Sequence, residues 1–379
     1  MPESIPQPLL ELRDKTKAFI REDLVPLEKQ IVAGADPKEI RSRVIAASTD
    51  AGFFTMTQPK AYSGVEVSAL ALTVVRETLA AANLHVTSDV FAPGAGVLGA
   101  SIGLLRDHYL DPLMRGEKRG SFGFTEPDKA PRPTWATHDG DDIVITGQKS
   151  YVTGGADADF VAALVNVESD GELAGGSAMV IIDFDSPGVT IERNFRSLEG
   201  GHHAAVRFDQ VRVAKWHIVG KIGEGMPRAL GDISTVRLAL CARACGIMQW
   251  AVQYVGEYIQ APHRSGTPLG NREGVRLRYA DLRIETFAAR SMLYRTARMV
   301  DSDANDVNEV MATKVFCTEA AGRVIDAALQ LVGGDALTEG HPLEQLYREV
   351  RSMRFTEGAS DILRLNIVKG ALDLNKGTL

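Results

Sequence analysis

The sequence predicts a mostly helical α+β protein, in which an N-terminal helical bundle and a C-terminal four-helix bundle flank an antiparallel β domain. Three observations carry this prediction: a helical period of apolar residues in the first third, a period of two in the middle, and a return to the helical period after Pro227. We place the domains at residues 1–118, 119–226 and 227–379. A chain of 379 residues is long enough for several packed units.

The first segment has the pattern of an amphipathic helix. Apolar or small residues recur three or four positions apart at Leu9, Leu12, Thr16 and Phe19, and Pro26 then interrupts the pattern. We therefore expect helices up to about residue 115.

The middle segment contains short runs rich in β-branched residues. Turns with Gly, Asp or Pro separate these runs, and no helical stretch lies between them. The runs occupy residues 143–146, 160–165, 179–182 and 205–208. This arrangement is typical of an antiparallel sheet.

The last segment shows two apolar stripes at helical spacing. The longer stripe ends at Gly333-Gly334, a natural helix stop, and consists of Met311, Val315, Thr318, Gly322, Ile325, Leu329 and Val332. The second stripe consists of Leu277, Ala280, Ile284 and Phe287. Long helices with such stripes favour a bundle.

Composition and charge exclude several classes of protein. The chain has 42 basic and 49 acidic residues, a net charge of −7, and no basic block, so we expect no nucleic-acid binding. The longest uncharged run, residues 90–105, contains Pro93 and is too short to span a bilayer. The N-terminus resembles neither a signal nor a transit peptide. Three cysteines without a CxxC pair indicate a reducing, cytoplasmic location.

Three motifs have simple structural explanations. Residues 94–99 spell GxGxxG, but the surrounding period is helical, so a dinucleotide-binding βαβ unit is not expected. His202 and His203 would point to opposite faces of a strand and lack further ligands, which argues against a metal site. Cys241 and Cys245 are expected to be small buried apolar groups.

A set of ordered motifs is more informative than any single one. They lie at residues 122–127 (FGFTEP), 147–153 (GQKSYVT), 206–213, 219–225, 330–334 (QLVGG), 346–349 and 356–360 (TEGAS). Taken together they resemble the acyl-CoA dehydrogenases, a family of flavoproteins. The resemblance extends over roughly residues 105–372 and agrees with the architecture inferred above.

The resemblance implies an FAD-dependent α,β-dehydrogenation of an acyl thioester. A carboxylate takes the α-proton while N5 of the flavin accepts the β-hydride. Glu357 occupies the position of the family's catalytic base. Gly358 would allow the thioester to approach closely, and Arg237 matches an arginine of the substrate cavity.

The resemblance also implies the residues that bind FAD. Those expected at the flavin ring are Phe124, Thr125, Tyr151 and Thr153, with Tyr151 in place of the family's tryptophan. Gln330, Gly333 and Gly334 match residues that reach the FAD of a neighbouring subunit. Arg264 is the expected counterpart of an arginine at the diphosphate, although it is displaced from the family's position and a nearby phenylalanine is lost. The family's Gly-Ser-Asp turn is replaced by residues 128–132.

The implied partners are an acyl-CoA or acyl-carrier thioester of fatty acid metabolism, identical subunits in a homotetramer or homodimer, and an electron-transfer flavoprotein. Neither nucleic acid nor a membrane is expected.

Two other functions stay open: a flavin-dependent oxidase or oxygenase on the same scaffold, and a non-catalytic subunit of a hetero-oligomer. Retention of Glu357 argues against the second, and loss of the Gly-Ser-Asp turn argues for it.

Overall fold

The computed structural model describes residues 5–377, apart from residues 66, 172, 232 and 303–305. Contacts divide the chain into two compact units. The helical unit contains the residues up to Thr57, Val65–Ala92 and the residues from Ser234, and the sheet unit contains Gln58–Gly64 and Pro93–Ile233. The first and last helical segments of the sequence therefore contribute to one unit.

The described residues form twelve α-helices. They are α1 Gln7–Phe19, α2 Val25–Val32, α3 Pro37–Asp50, α4 Ala69–Ala80, α5 Gly103–Leu105, α6 Asp111–Met114, α7 Gly225–Ala229, α8 Ile233–Gln260, α9 Glu273–Asp301, α10 Val307–Val332, α11 Pro342–Ser352 and α12 Ser360–Asp373. A π-helical turn at Ile20–Leu24 joins α1 to α2, so Pro26 lies in the first turn of α2, where its missing N–H has no cost. None of the described helices is both long and apolar enough to cross a membrane.

The core of the helical unit forms where α4, α8, α9, α10 and α11 meet. Representative buried residues of this cluster are Val74, Ala251, Leu293, Ile325 and Leu346. The longer predicted stripe is buried in two clusters: Ile325, Leu329 and Val332 belong to this core. Met311 and Val315 instead pack against Leu363 of α12. Helix α10 ends at Val332 as predicted, and Gly333 follows with φ 90°, a left-handed conformation that favours glycine.

Helix α9 presents a different face to the core than its predicted stripe suggests. The side chains of Leu282, Ala289 and Leu293 are buried, whereas Ile284 and Phe287 of the predicted stripe are 63% and 58% exposed. Both faces have helical spacing, and periodicity alone does not tell which of them meets the core. The second stripe therefore lies on an uncovered surface of the chain.

The sheet unit contains an eight-stranded mixed sheet. Its strands are β1 Gly120–Gly123, β2 Trp135–Asp139, β3 Asp142–Thr153, β4 Phe160–Val167, β5 Gly176–Asp183, β6 Val189–Arg196, β7 His202–Ala214 and β8 Ile218–Val219. The order is β6-β7-β3-β2-β4-β5-β8, with β1 beside β4. The predicted sheet is present, but the pairs β1–β4 and β2–β4 are parallel. The pair β2–β4 is parallel because the chain reverses direction twice between the two strands. Strand β3 runs antiparallel to β2, and the chain turns back again before β4.

Strand β3 is irregular where it carries site residues. Its pairing with β7 shifts between Ile145 and Gly147, and again between Lys149 and Val152. Gly147 is required at the first shift, because a Cβ there would lie 2.6 Å from the Cα of Thr134. Tyr151 lies within the second shift and has φ 54°, a left-handed conformation typical of a bulge.

Candidate active site

The segment between α11 and α12 has an unusual backbone. Two consecutive residues, Glu357 and Gly358, adopt positive φ angles of 58° and 106°. A glutamate in this region costs about 1–3 kcal/mol of strain and persists only where its surroundings hold it. Glycine is needed next to it, because a Cβ on Gly358 would lie 2.9 Å from Cδ2 of Leu363.

Two buried cations from neighbouring helices hold this loop by its backbone. The guanidinium of Arg237, on α8, donates from Nε to the carbonyl oxygen of Glu357 at 3.1 Å. The ammonium of Lys314, on α10, donates to the carbonyl oxygens of Gly358 at 2.7 Å and Arg354 at 3.2 Å. The structure thus brings Arg237, Glu357 and Gly358 together, as expected for one site.

The carboxylate of Glu357 is half-buried and accepts no hydrogen bond from the described residues. Burial raises its pKa, and the charges of Arg237 and Lys314 oppose the rise without cancelling it. The backbone N–H of Glu357 likewise has no acceptor among the described residues. The loop therefore offers a proton acceptor of raised basicity next to a free hydrogen-bond donor.

Burial changes the pKa of both cations in the same direction. Burial lowers the pKa of Arg237, an effect that the charge of Glu357 opposes. Burial also lowers the pKa of Lys314, to about 8. Sequence analysis did not single out Lys314. The available signal was a lone charged residue within the otherwise uncharged run of residues 310–318.

Three of the predicted FAD residues surround one cavity of the helical unit. Gln330, Gly333 and Gly334 line a space of about 420 Å³, together with Tyr347 and Arg348. A Cβ on either glycine would meet no atom within 4 Å, so the backbone here is open to a ligand.

Arg264 lies in the exposed segment between α8 and α9. It makes no side-chain hydrogen bond to Gln330, Gly333 or Gly334 in the described part of the chain. Its neighbours His263 and Ser265 bond to each other at 2.8 Å. The structure leaves its guanidinium accessible but does not join it to the cavity.

The sheet unit carries an exposed aromatic group. Phe124 and Phe122 stack with ring centroids 6.1 Å apart, and Tyr151 is 63% exposed. Thr125 follows Phe124, and its carbonyl oxygen accepts a hydrogen bond from the N–H of Ser150 at 2.8 Å. This bond ties the loop after β1 to β3, next to Tyr151.

A buried ion pair lies beneath this aromatic group. Lys149, only 1% exposed, donates to Oε1 of Glu126 at 2.6 Å and to the carbonyl oxygen of Phe124 at 3.3 Å. Burial lowers the pKa of Lys149, and Glu126 opposes the effect. The same Oε1 accepts the N–H of Thr134 at 2.8 Å. Glu126 and Lys149 lie in the motifs at residues 122–127 and 147–153, but neither was predicted to have a role.

The remaining motifs behave as ordinary structure. Within residues 94–99, Gly96–Leu98 form a 3₁₀ turn that precedes the first strand, so the motif builds no βαβ unit. His203 is half-buried in β7 and bonds to Oγ1 of Thr153 at 3.2 Å, whereas His202 is exposed. The cysteines Cys241, Cys245 and Cys317 are free and buried. The described residues include no cluster of His, Cys, Asp or Glu able to hold a metal ion.

Comparison with known proteins agrees with these observations. Models of the N-terminal, middle and C-terminal domains of acyl-CoA dehydrogenase match residues 8–117, 121–211 and 223–372. The chain is 25% identical to a 3-(aryl)acrylate reductase of Clostridium sporogenes over 95% of its own length and 97% of the relative. It is 26% identical to the mitochondrial short-chain specific acyl-CoA dehydrogenase of Sus scrofa, over 96% and 90% of the two chains.

A solved structure shows the same fold. The structure of PigA with FAD and proline superposes with a TM-score of 0.82 at 18% identity, over 98% of this chain and 99% of that chain. At this identity the likeness establishes the fold alone. Since the three domain models together match nearly all of the sequence, the chain belongs to the acyl-CoA dehydrogenase family.

Proposed function

We propose that the protein is an FAD-dependent acyl-CoA dehydrogenase in which Glu357 is the catalytic base. One observation carries the proposal: the carboxylate of Glu357 is half-buried and free of hydrogen bonds from the described residues, in a strained loop fixed by two buried cations. A structural carboxylate would be paired or exposed. An unpaired carboxylate whose pKa is raised by burial, despite two nearby cations, is suited to accept a proton.

The residues present fit an FAD cofactor, on which members of this family depend. The exposed rings of Phe124 and Tyr151 offer flat apolar contacts, and Thr125 supplies a hydroxyl group. Gly333 and Gly334 leave room for backbone contact with a diphosphate or an adenine. When bound, FAD supplies the acceptor for the hydride from the β-carbon.

The chain's own contribution to the reaction centres on Glu357. Its carboxylate removes the proton from the α-carbon, and its backbone N–H donates to the thioester oxygen, where negative charge develops as that proton leaves. Burial raises the pKa of the carboxylate and so brings its basicity closer to that of the reacting carbon acid. Gly358 keeps the backbone free of side-chain atoms next to the base.

The experiment is an anaerobic titration of the purified yellow protein with acyl-CoAs of increasing chain length. We expect at least one of them to bleach the flavin absorbance, and Glu357→Gln to bind flavin yet bleach roughly 10²–10⁴-fold more slowly. Asp361→Asn is the matched control, because Asp361 is the second residue of α12 and its side chain is 96% exposed. Bleaching of Glu357→Gln at the parent rate would contradict the assignment.

We also infer that the active protein is a homo-oligomer that passes its electrons to an electron-transfer flavoprotein. Two helices of the isolated chain expose apolar side chains, among them Leu277 and Ile284 on α9 and Leu365 and Leu372 on α12. Exposed apolar surface of this extent supports subunit contacts. Slow reoxidation of the bleached flavin by air would support the flavoprotein acceptor, and fast reoxidation would favour an oxidase.

The relative from Clostridium sporogenes favours a second candidate, reduction of an acrylate double bond. In that direction the protonated carboxyl of Glu357 would deliver a proton to the α-carbon, and its raised pKa suits this role as well. Mixing the photoreduced protein with a free arylacrylate distinguishes the two, because a thioester dehydrogenase run in reverse would reoxidise only with an α,β-unsaturated thioester. Return of the flavin absorbance without oxygen would support the reductase.

A further inference from the structure

We propose that Lys314 is a positioning residue that fixes the direction of the Glu357 carboxylate by binding the backbone on both sides of it. This inference rests on the proposed function, because it assigns a task to Lys314 only if Glu357 is the base. The hydrogen bonds of Lys314 do not go to either carboxylate oxygen of Glu357. It acts through main-chain atoms instead.

The geometry is that of a bridge. One ammonium group, the Nζ of Lys314, donates at 3.2 Å to the carbonyl oxygen three residues before Glu357 and at 2.7 Å to the carbonyl oxygen one residue after it. The earlier carbonyl, that of Arg354, also accepts the N–H of Ser360 at 2.9 Å, which closes the loop at the start of α12. Both ends of the segment that carries Glu357 therefore converge near one cation.

The bridge accounts for a backbone that would otherwise relax. Glu357 and Gly358 both lie at positive φ, and a glutamate holds such a conformation only against strain. Arg237 holds the carbonyl between the two bridged ones. Removing the ammonium group frees the carbonyl of Gly358 and lets the backbone of Glu357 turn toward more favourable angles.

Burying the ammonium group of Lys314 inside the helical unit costs free energy, because the charge leaves water. Lys314 is fully buried on α10, and its hydrogen bonds to the described residues go to neutral carbonyls rather than to a carboxylate. The charged or titratable groups that influence it are Cys241 and Arg237 on α8, Glu319 on its own helix and Glu357 in the loop. An apolar side chain at this position would serve the core better. The loop is the feature that needs the donor.

Lys314→Met tests the proposal, since methionine fills a similar volume without donating. The control is Thr318→Val, one turn along α10, because Thr318 is also fully buried but bonds only within its own helix. We expect the amide of Ser360 to exchange with solvent roughly tenfold or more faster in Lys314→Met, and the control to match the parent. This readout needs no substrate.

The second readout is the bleaching assay with whichever acyl-CoA bleaches the parent. We expect Lys314→Met to retain its flavin and to bleach about 10–100-fold more slowly, with a far smaller change in the apparent Kd of the acyl-CoA. Unchanged exchange at Ser360, or a full bleaching rate despite faster exchange, would overturn the proposal. If Lys314→Met does not fold, Lys314→Leu, which likewise cannot donate a hydrogen bond, is measured under the same expectations.

The two readouts separate the proposal from the function on which it rests. If no acyl-CoA bleaches the parent, the proposed function fails while the exchange comparison still stands. If Glu357→Gln abolishes bleaching but Lys314→Met does not slow it, the function stands and the positioning role is refuted.

Discussion

The buried ion pair of the sheet unit leads to a quantitative prediction. Replacing Lys149 by methionine leaves the carboxylate of Glu126 with the N–H of Thr134 and partial solvent, since Glu126 is 23% exposed. Removing one partner from a fully buried pair costs about 3–5 kcal/mol. The remaining donor and the partial exposure reduce this to about 2–3 kcal/mol, which corresponds to a fall in melting temperature of about 2–4 °C at an unfolding entropy of about 2.1 cal/mol/K per residue.

Circular dichroism melts of the flavin-loaded protein measure the effect. The control is Lys129→Met, because Lys129 is an exposed lysine of the same unit. Lys149→Met should also release flavin more readily, since the lysine holds the carbonyl of Phe124. In a double-mutant cycle with Glu126→Gln, the stability lost by the double variant should be smaller than the sum of the losses of the two single variants. Equal melting temperatures for Lys149→Met and Lys129→Met would refute the reasoning.

Two further predictions concern stability and assembly. Burial raises the folded-state pKa of Glu357 above its usual 4.5, so its contribution to stability is greatest below that pH and is lost as pH rises. The melting temperature of Glu357→Gln should therefore rise relative to that of the parent as pH increases above 4.5, and a constant difference would contradict this. Ile284→Asp, on the exposed face of α9, should lower the molar mass measured by light scattering, whereas the exposed Arg278→Asp should not.

Much of the fold could be predicted because it depends on local pattern. The period of two located the sheet, and the stripe ending at Gly333 located α10 with its end. The stripe that includes Ile284 shows the limit of periodicity, since α9 has a second small and apolar face that meets the core. The parallel pairs of β4 depend on the path of the chain between strands, which no single strand reveals.

The site was predictable where one motif carries the chemistry. Glu357 and Gly358 are adjacent in sequence, and the structure adds that Arg237 reaches their backbone. The contacts of Lys149 and Lys314 could not be predicted, because their partners lie 23 and 44 residues away. The lone charge of Lys314 in an uncharged run indicates an unusual lysine, but no local pattern tells which carbonyl oxygens it will bind.

Exchange of the α-proton tests the central claim, that Glu357 removes it. The protein is incubated anaerobically in D₂O with an acyl-CoA that bleaches it, and deuterium at the α-carbon of the unreacted thioester is measured by mass spectrometry. We predict deuterium incorporation by the parent and by Asp361→Asn, and a rate at least about 100-fold lower for Glu357→Gln. Incorporation by Glu357→Gln at the parent rate would show that another group removes the proton.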